Sequence, residues 1–236
     1  MAIVSAANQL KAKTELMRQT YLERRWPVTP MFQNIAVEWC ADQSRRLLEL
    51  VWRGYDLLFA NDLHIVAFAA NDEAKEESLN YLLTLRIDQC KGNAPFSVVH
   101  QPPEQTKRKR GKGRSPQPDI GFALYEQPRT VWPMEGKVLI NNRDVTAYLA
   151  EIETNFVKAR YATFSSEGAM LGYLVVGDAE TVMSHINNDL GTVLRNHPNF
   201  KERPHRLSDH IRTNLPHPNS PARFVCHHLI LCLSST

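Results

Sequence analysis

The sequence predicts an α/β fold with a mixed sheet and an N-terminal helical extension. Two observations carry this. Residues 1–70 are rich in helix formers and contain no strand-like alternation. From residue 72 the pattern changes to helix, three strands, helix and strand, an αβββαβ order that closes an α/β sandwich. The expected organisation is therefore a helical extension over 1–70 and an α/β domain over 71–236.

In the first segment, residues 2–25 are dominated by Ala, Leu, Lys, Glu and Gln, and Trp26-Pro27 ends the run. A second helix is expected from Asn34 to about Ala60, with Leu47, Leu48, Val51, Tyr55 and Leu58 forming its buried stripe. No chemical motif lies here, so the extension either packs on the core or recruits a partner.

Asp72 is a candidate N-cap for a helix over 73–90, and Gly92 follows its end. Strands are expected over 96–101, 118–125 and 130–140, with a turn at 126–129 around Pro128. Asp144 can cap a helix running to about Arg160 with Val145, Leu149, Ile152 and Phe156 on one face. A strand over 169–176, a helix over 181–195 and a last strand over 223–233 complete the pattern.

Composition narrows the class without choosing a function. The 236 residues are 43% hydrophobic and 22% charged, which argues for a packed domain rather than disorder. The net charge of +3 permits a polyanionic partner without requiring one. Cys40, Cys90, Cys226 and Cys232 form no CxxC pair, and the N-terminus does not read as a secretory leader. Reduced thiols in a cytoplasmic protein are the expectation, with no apolar run long enough to cross a membrane.

Chemistry concentrates around two strands. Pro118-Asp119 opens one, and Glu135-Gly136-Lys137 lies in the next. Residues two apart on a strand share a face, so Glu135 and Lys137 project together. In a hairpin Asp119 comes close to Glu135. Two carboxylates at one sheet edge suit a hard cation such as Mg²⁺ or Mn²⁺. A neighbouring ammonium can orient water and offset transition-state charge. On the preceding helix, Glu76 falls on the stripe of Leu79, Leu82, Leu83, Ile87 and Cys90. It is either a further acid at the sheet edge or a complement to the helix dipole.

These residues resemble the PD-(D/E)XK superfamily of restriction-endonuclease-like nucleases. The match consists of Pro118-Asp119, Glu135-Gly136-Lys137 and the element order over roughly residues 72–177. The resemblance implies a metal-dependent nuclease acting on DNA, with Asp119, Glu135 and Glu76 as metal ligands and Lys137 serving the water. It also implies a restriction-endonuclease-like core. Segments 156–161, 170–173 and 227–230 are similar to nucleases of bacterial defence loci, which implies a role in antiviral defence or restriction. A catalytically inactive subunit of the same fold, binding nucleic acid or assembling a complex, is the alternative. Two departures stand out: Pro133 inside a central strand, and 15 residues between Asp119 and Glu135.

For the substrate, Lys107, Arg108, Lys109, Arg110, Lys112 and Arg114 form a basic, Gly-containing run suited to phosphate contact without base reading. A solvated hairpin tip explains the same run. Lys158, Arg160, His210 and Arg212 are further candidate backbone contacts. With no helix-turn-helix or zinc-finger pattern, targeting is assigned to a protein partner or a homo-oligomer. The many histidines of the C-terminal third show no zinc-motif spacing, and buried hydrogen bonding or phosphate contact is expected of them.

Overall fold

The computed structural model describes residues 43–66, 71–102, 116–124, 127–162, 165–213, 215 and 220–234. The chain divides into a unit of Met1–Arg46 and a compact unit of Leu47–Thr236. The expected helix over 2–25 and the basic run 107–114 lie outside the described residues. Among the described residues no helix is long and apolar enough to cross a membrane.

Helix α1 (Gln43–Asn61) buries Leu47, Leu48, Leu50, Val51, Trp52, Gly54 and Leu58, the helical stripe seen in its sequence. Polar contacts hold it. Tyr55 Oη donates to Cys232 O at 2.6 Å, and Arg203 makes a two-pronged pair with Asp56. At its foot Arg86 grips both oxygens of Asp62 at 2.6 Å, which lowers the Asp62 pKa. The described part of the expected extension thus packs onto the α/β elements.

Helix α2 (Asp72–Lys91) is capped by Asn71, whose side chain accepts from Ala74 N. Asp72, the expected cap, sits one position inside and pairs with Lys75. Gly92 ends the helix with φ 57°, a left-handed conformation that suits glycine.

The strands β1 (Phe96–His100), β2 (Ile120–Leu124), β3 (Gln127–Leu139), β4 (Glu167–Leu174), β5 (Arg195–Asn196), β6 (His205–Ile211) and β7 (Arg223–Cys232) form one mixed sheet. Its order is β1-β2-β3-β4-β7-β6-β5. The first three strands are an antiparallel meander, and β4 joins β3 and β7 in parallel. The crossover from β3 runs through α3 (Thr146–Glu151), which continues as one π-helical segment, Ile152–Val157. Helix α4 (Ala179–Asp189) follows β4, capped by the Asp178 side chain on Thr181 N. The mixed α/β class is as the sequence predicts.

Both departures in the sequence have physical answers. β2 pairs with β3 up to Ile120↔Met134, and β4 pairs from Met134↔Ala169 onward. Pro133 therefore lies before the β3–β4 ladder begins, where its missing N–H costs no bond to β4. The hairpin is long because β3 starts at Gln127 and absorbs the expected turn; the register shift falls at Ala123/Leu124 instead.

One face of the sheet packs Leu139, Met170, Leu174, Phe224 and Ile230 against Tyr148, Ile152 and Phe156 and against Val182 and Ile186 of α4. On the opposite face Tyr173 Oη donates to Asn80 of α2 at 2.7 Å. Central β4 is buried on both faces from Gly168 on, as a parallel strand requires.

The strand β6 is absent from the sequence reading, which placed His210 and Arg212 on a nucleic-acid surface. Arg212 is instead 2% exposed. Its guanidinium donates to Phe156 O, Ala162 O and Ser165 O at 2.8–3.2 Å and lies 3.9 Å over the Phe224 ring. Burial lowers its pKa to about 10. It ties down the segment after the π-helix, and its one unpartnered nitrogen, Nη2, is buried away from the surface where phosphate was expected. Arg212→Met is expected to lower the unfolding free energy by about 2–4 kcal/mol, because three carbonyls lose their donor. Urea denaturation measures this; unchanged stability would show that those carbonyls find other partners.

Candidate active site at the open edge of the third strand

The site follows from where β2 starts. Beyond Met134 the β2 side of β3 has no strand against it, and backbone N–H groups there need other acceptors. Gly136 N donates to Asp119 Oδ2 at 2.8 Å, and Val138 N donates to Glu76 Oε2 at 3.3 Å. Two carboxylates thus substitute for a missing strand. Asp119 is carried by the residue that leads into β2, and Glu76 by the second turn of α2.

Glu135 and Lys137 lie on the other face of β3, with Leu139, towards α3. Lys137 Nζ is 3.1 Å from Glu76 Oε1 and 3.8 Å from Glu151 Oε1. Glu135 is 8% exposed, and its Oε2 has no hydrogen-bond partner. An unpaired buried carboxylate is costly, so a compensating cation or a proton is needed.

The electrostatics agree with that. Burial, then the charges of Asp119 and Glu151, pushes the Glu135 pKa well above its ordinary value. Burial also raises Asp119, opposed by the Gly136 N–H, Lys137 and an Asn80 hydrogen bond. Glu76 is raised by burial against the pull of Lys137. For Lys137 burial acts to lower the pKa, but Glu76, Glu151 and Glu135 outweigh it and the net direction is up. Lys137 is therefore a held ammonium.

Gly136 is required by packing. A Cβ there would lie 2.3 Å from Asn80 Oδ1, inside contact distance. Asn80, one helical turn after Glu76, fills the space beneath the Glu-Gly-Lys triplet and is itself held by Tyr173.

The structure adds Glu151, which the sequence reading passed over. Its Oε2 accepts from Asn155 Nδ2, and Asn155 Oδ1 accepts from Arg160 Nη1 at 3.3 Å. Val145, Tyr148, Ile152 and Asn155 form the buried face of this helix, and Leu149, expected inside, lies at its edge and is only half-buried. The apolar stripe of the helix does not single out an acid beside it; an acid on the crossover helix after a Glu-x-Lys strand was the available signal.

Among the remaining expected contacts, Arg160 is exposed and reaches the site's rim through Asn155. Lys158 is exposed and 3.6 Å from Glu153. His210 is half-buried, with Nε2 2.7 Å from Ser208 Oγ, which also meets His228. His228 in turn bonds Tyr148 Oη at 3.0 Å. His210 is thus part of an internal chain, and the surface role expected of it finds no support in this geometry.

The fit to a divalent cation is specific to donor type. Mg²⁺ takes one or two protein carboxylates and fills its remaining positions with water and phosphate oxygens. Glu135 with Asp119 meets that requirement. The acids do not form a ready three-carboxylate chelate: among the described residues, only His197, His205 and His227 place three ligating atoms within 4.8 Å of one another. Glu76 is committed to Lys137 and to Val138 N.

Comparison with family models, with curated proteins and with solved structures returns no match. Geometry and chemistry therefore carry the functional reading. Gly136→Ala is expected to destabilise the fold by about 1–3 kcal/mol through overpacking. Combining it with Asn80→Ala should recover part of the melting-temperature loss contributed by the clash, which differential scanning calorimetry reads.

Proposed function

We propose that this chain is a metal-dependent nuclease with a restriction-endonuclease-like core, hydrolysing DNA phosphodiesters at the open edge of β3. The observation that carries the reading is the Glu135 carboxylate, buried and unpartnered at Oε2 beside Asp119 and Lys137. Supporting it is the element order, an antiparallel meander whose third strand carries Glu-Gly-Lys and joins the fourth in parallel after a helical crossover.

Asp119 and Glu135 are the proposed ligands of Mg²⁺ or Mn²⁺, with Glu76 adjoining. When bound, the cation supplies Lewis acidity towards the phosphate and makes water a better nucleophile. Lys137 stays charged between Glu76 and Glu151, so it orients water and offsets phosphorane charge rather than taking a proton. The Gly136 N–H holds Asp119 at the edge. Glu151 positions Lys137 from the far side, itself fixed by Asn155. Arg160 at the rim, with the basic run 107–114, is the proposed phosphate contact, giving backbone affinity without base reading. A cytoplasmic role in bacterial defence or restriction, with targeting by a partner or by a second copy, belongs to the same proposal.

One observation favours the second reading, a catalytically inactive subunit of the same fold. Lys137 is bound by Glu76 at 3.1 Å, and the three expected ligands do not converge.

Plasmid cleavage in Mg²⁺ or Mn²⁺ separates them. Asp119→Ala, Glu135→Ala and Lys137→Ala are each expected to lower the rate by about 100-fold or more, with cleavage abolished by chelator. Wild-type protein that binds DNA but leaves it intact in every metal would establish the inactive subunit. Glu151→Gln is expected to fold normally and to slow cleavage by about tenfold, since it acts through Lys137. A rate equal to wild type would remove Glu151 from the site.

A further inference from the structure

A second cluster of ionisable side chains lies on the opposite face of the sheet from Glu135, and the proposed nuclease chemistry leaves it unused. His205 opens β6, His227 sits in β7 and His197 follows β5, and all three are buried. The register pairs Leu207 with His227 and His205 with Leu229, so His205 and His227 are diagonal neighbours on one face. His205 Nε2 is 3.2 Å from His227 Nδ1. The His197 ring lies 4.5 Å from that of His205 and 5.6 Å from that of His227.

We propose that His197, His205 and His227 form a transition-metal site of the zinc class. Spacing in the chain gives no hint of it, because strand pairing brings the ligands together rather than a short loop. Two nitrogens each about 2.0 Å from a tetrahedral ion are about 3.3 Å apart. The 3.2 Å between His205 Nε2 and His227 Nδ1 matches that separation. The remote nitrogen of His227, Nε2, is 3.3 Å from Glu167 Oε2. A carboxylate in that place fixes the tautomer of a ligating imidazole and strengthens it as a donor. Trp52, Trp132 and Phe200 flank the rings, and the fourth tetrahedral position would be taken by water. An all-imidazole donor set selects zinc, copper or nickel over magnesium, so this site and the carboxylate edge take different ions.

The metal-free state is also defined. Trp52 Nε1–H donates to His205 Nδ1 at 3.3 Å. A neutral His205 then carries its proton on Nε2 and donates to His227 Nδ1, leaving His227 Nε2–H for Glu167. Asn199 N donates to His197 Nδ1 at 3.1 Å, so Nε2 is the ligating atom of that ring. Loading the ion moves the protons of His205 and His197 from Nε2 to Nδ1, and the Trp52 and Asn199 N–H groups lose those acceptors. Relay and metal site are mutually exclusive, and three hydrogen bonds are exchanged for three metal–nitrogen bonds. The indole makes the exchange optically visible.

The test is titration of metal-stripped, full-length protein with zinc chloride and cobalt(II) chloride. One equivalent bound per chain is expected, with visible ligand-field bands of tetrahedral cobalt and a change in Trp emission that Trp52→Phe removes. His197→Gln and His227→Gln should each weaken binding by about 100-fold or more, and Glu167→Gln by about tenfold. Circular dichroism checks that the variants fold; if they do not, the wild-type titration decides. Absence of saturable zinc binding by wild type would overturn the proposal. So would binding that survives both His variants and disappears in Glu135→Ala. Magnesium-dependent cleavage is a separate readout, so this proposal and the nuclease reading fail independently.

Discussion

β2 begins pairing with β3 only at Met134, and the consequences of that late start run through the whole site. A strand in the middle of a sheet normally spends its N–H groups on two neighbours. Here Gly136 and Val138 have a neighbour on one side only, and acceptors must come from side chains. Asp119 and Glu76 fill that role, which brings two carboxylates to within reach of Glu135 and Lys137. The acidic edge is thus part of how the sheet satisfies its own backbone, and a substitution at Asp119 or Glu76 acts on both structure and chemistry. Asn80 belongs to the same constraint, since it packs under Gly136 and is fixed by Tyr173 from β4.

Much of this was legible in the sequence, and the reasons are specific. Glu135 and Lys137 alternate on a strand, so their shared face follows from the period of two. Glu76 was placed by the 100° step of a helix whose stripe, Leu79, Leu83 and Ile87, is buried as read. What failed did so for identifiable causes. The strand β6 carries Arg206, Asp209 and His210 within seven residues, so its polarity reads as surface. Its charges are in fact spent locally: Asp209 pairs with Arg195 and Arg223, and Arg206 with Glu180. Arg212 is a buried cation that satisfies carbonyls, which composition cannot distinguish from a phosphate contact. Glu151 was hidden because it flanks the apolar stripe of its helix, and a stripe of apolar residues does not mark which neighbouring acid reaches Lys137. The histidine cluster was hidden because its members meet through the pairing of β5, β6 and β7, at spacings that no short metal-binding loop has.

The two candidate metal sites differ in the physics that keeps them empty of charge. On the His face, His205 and His227 share a hydrogen bond, and Trp52, Asn199 and Glu167 partner the rings around it. On the acid face, neutrality is not available from hydrogen bonding alone. Four carboxylates, Glu76, Asp119, Glu135 and Glu151, act on a single ammonium, and each of the other three raises the pKa of Glu135. Such a set either holds protons or holds a cation.

That choice bears on substrate. A nucleic-acid phosphate approaching four carboxylates and one lysine meets net repulsion, so DNA affinity cannot reside in the acidic edge itself. In the proposed reading it comes from basic groups outside that edge, the role proposed for Arg160 and the basic run 107–114. In the proposed nuclease a divalent ion held by Glu135 and Asp119 would offset most of that repulsion and offer the phosphate an oxygen-seeking partner. Ion and polyanion are then expected to bind with positive coupling, each strengthening the other by the same factor. A subunit that had lost catalysis but kept this acid cluster would retain the repulsion without its remedy. In the proposed nuclease the clustered carboxylates thus serve the ion directly, and the phosphate only through it.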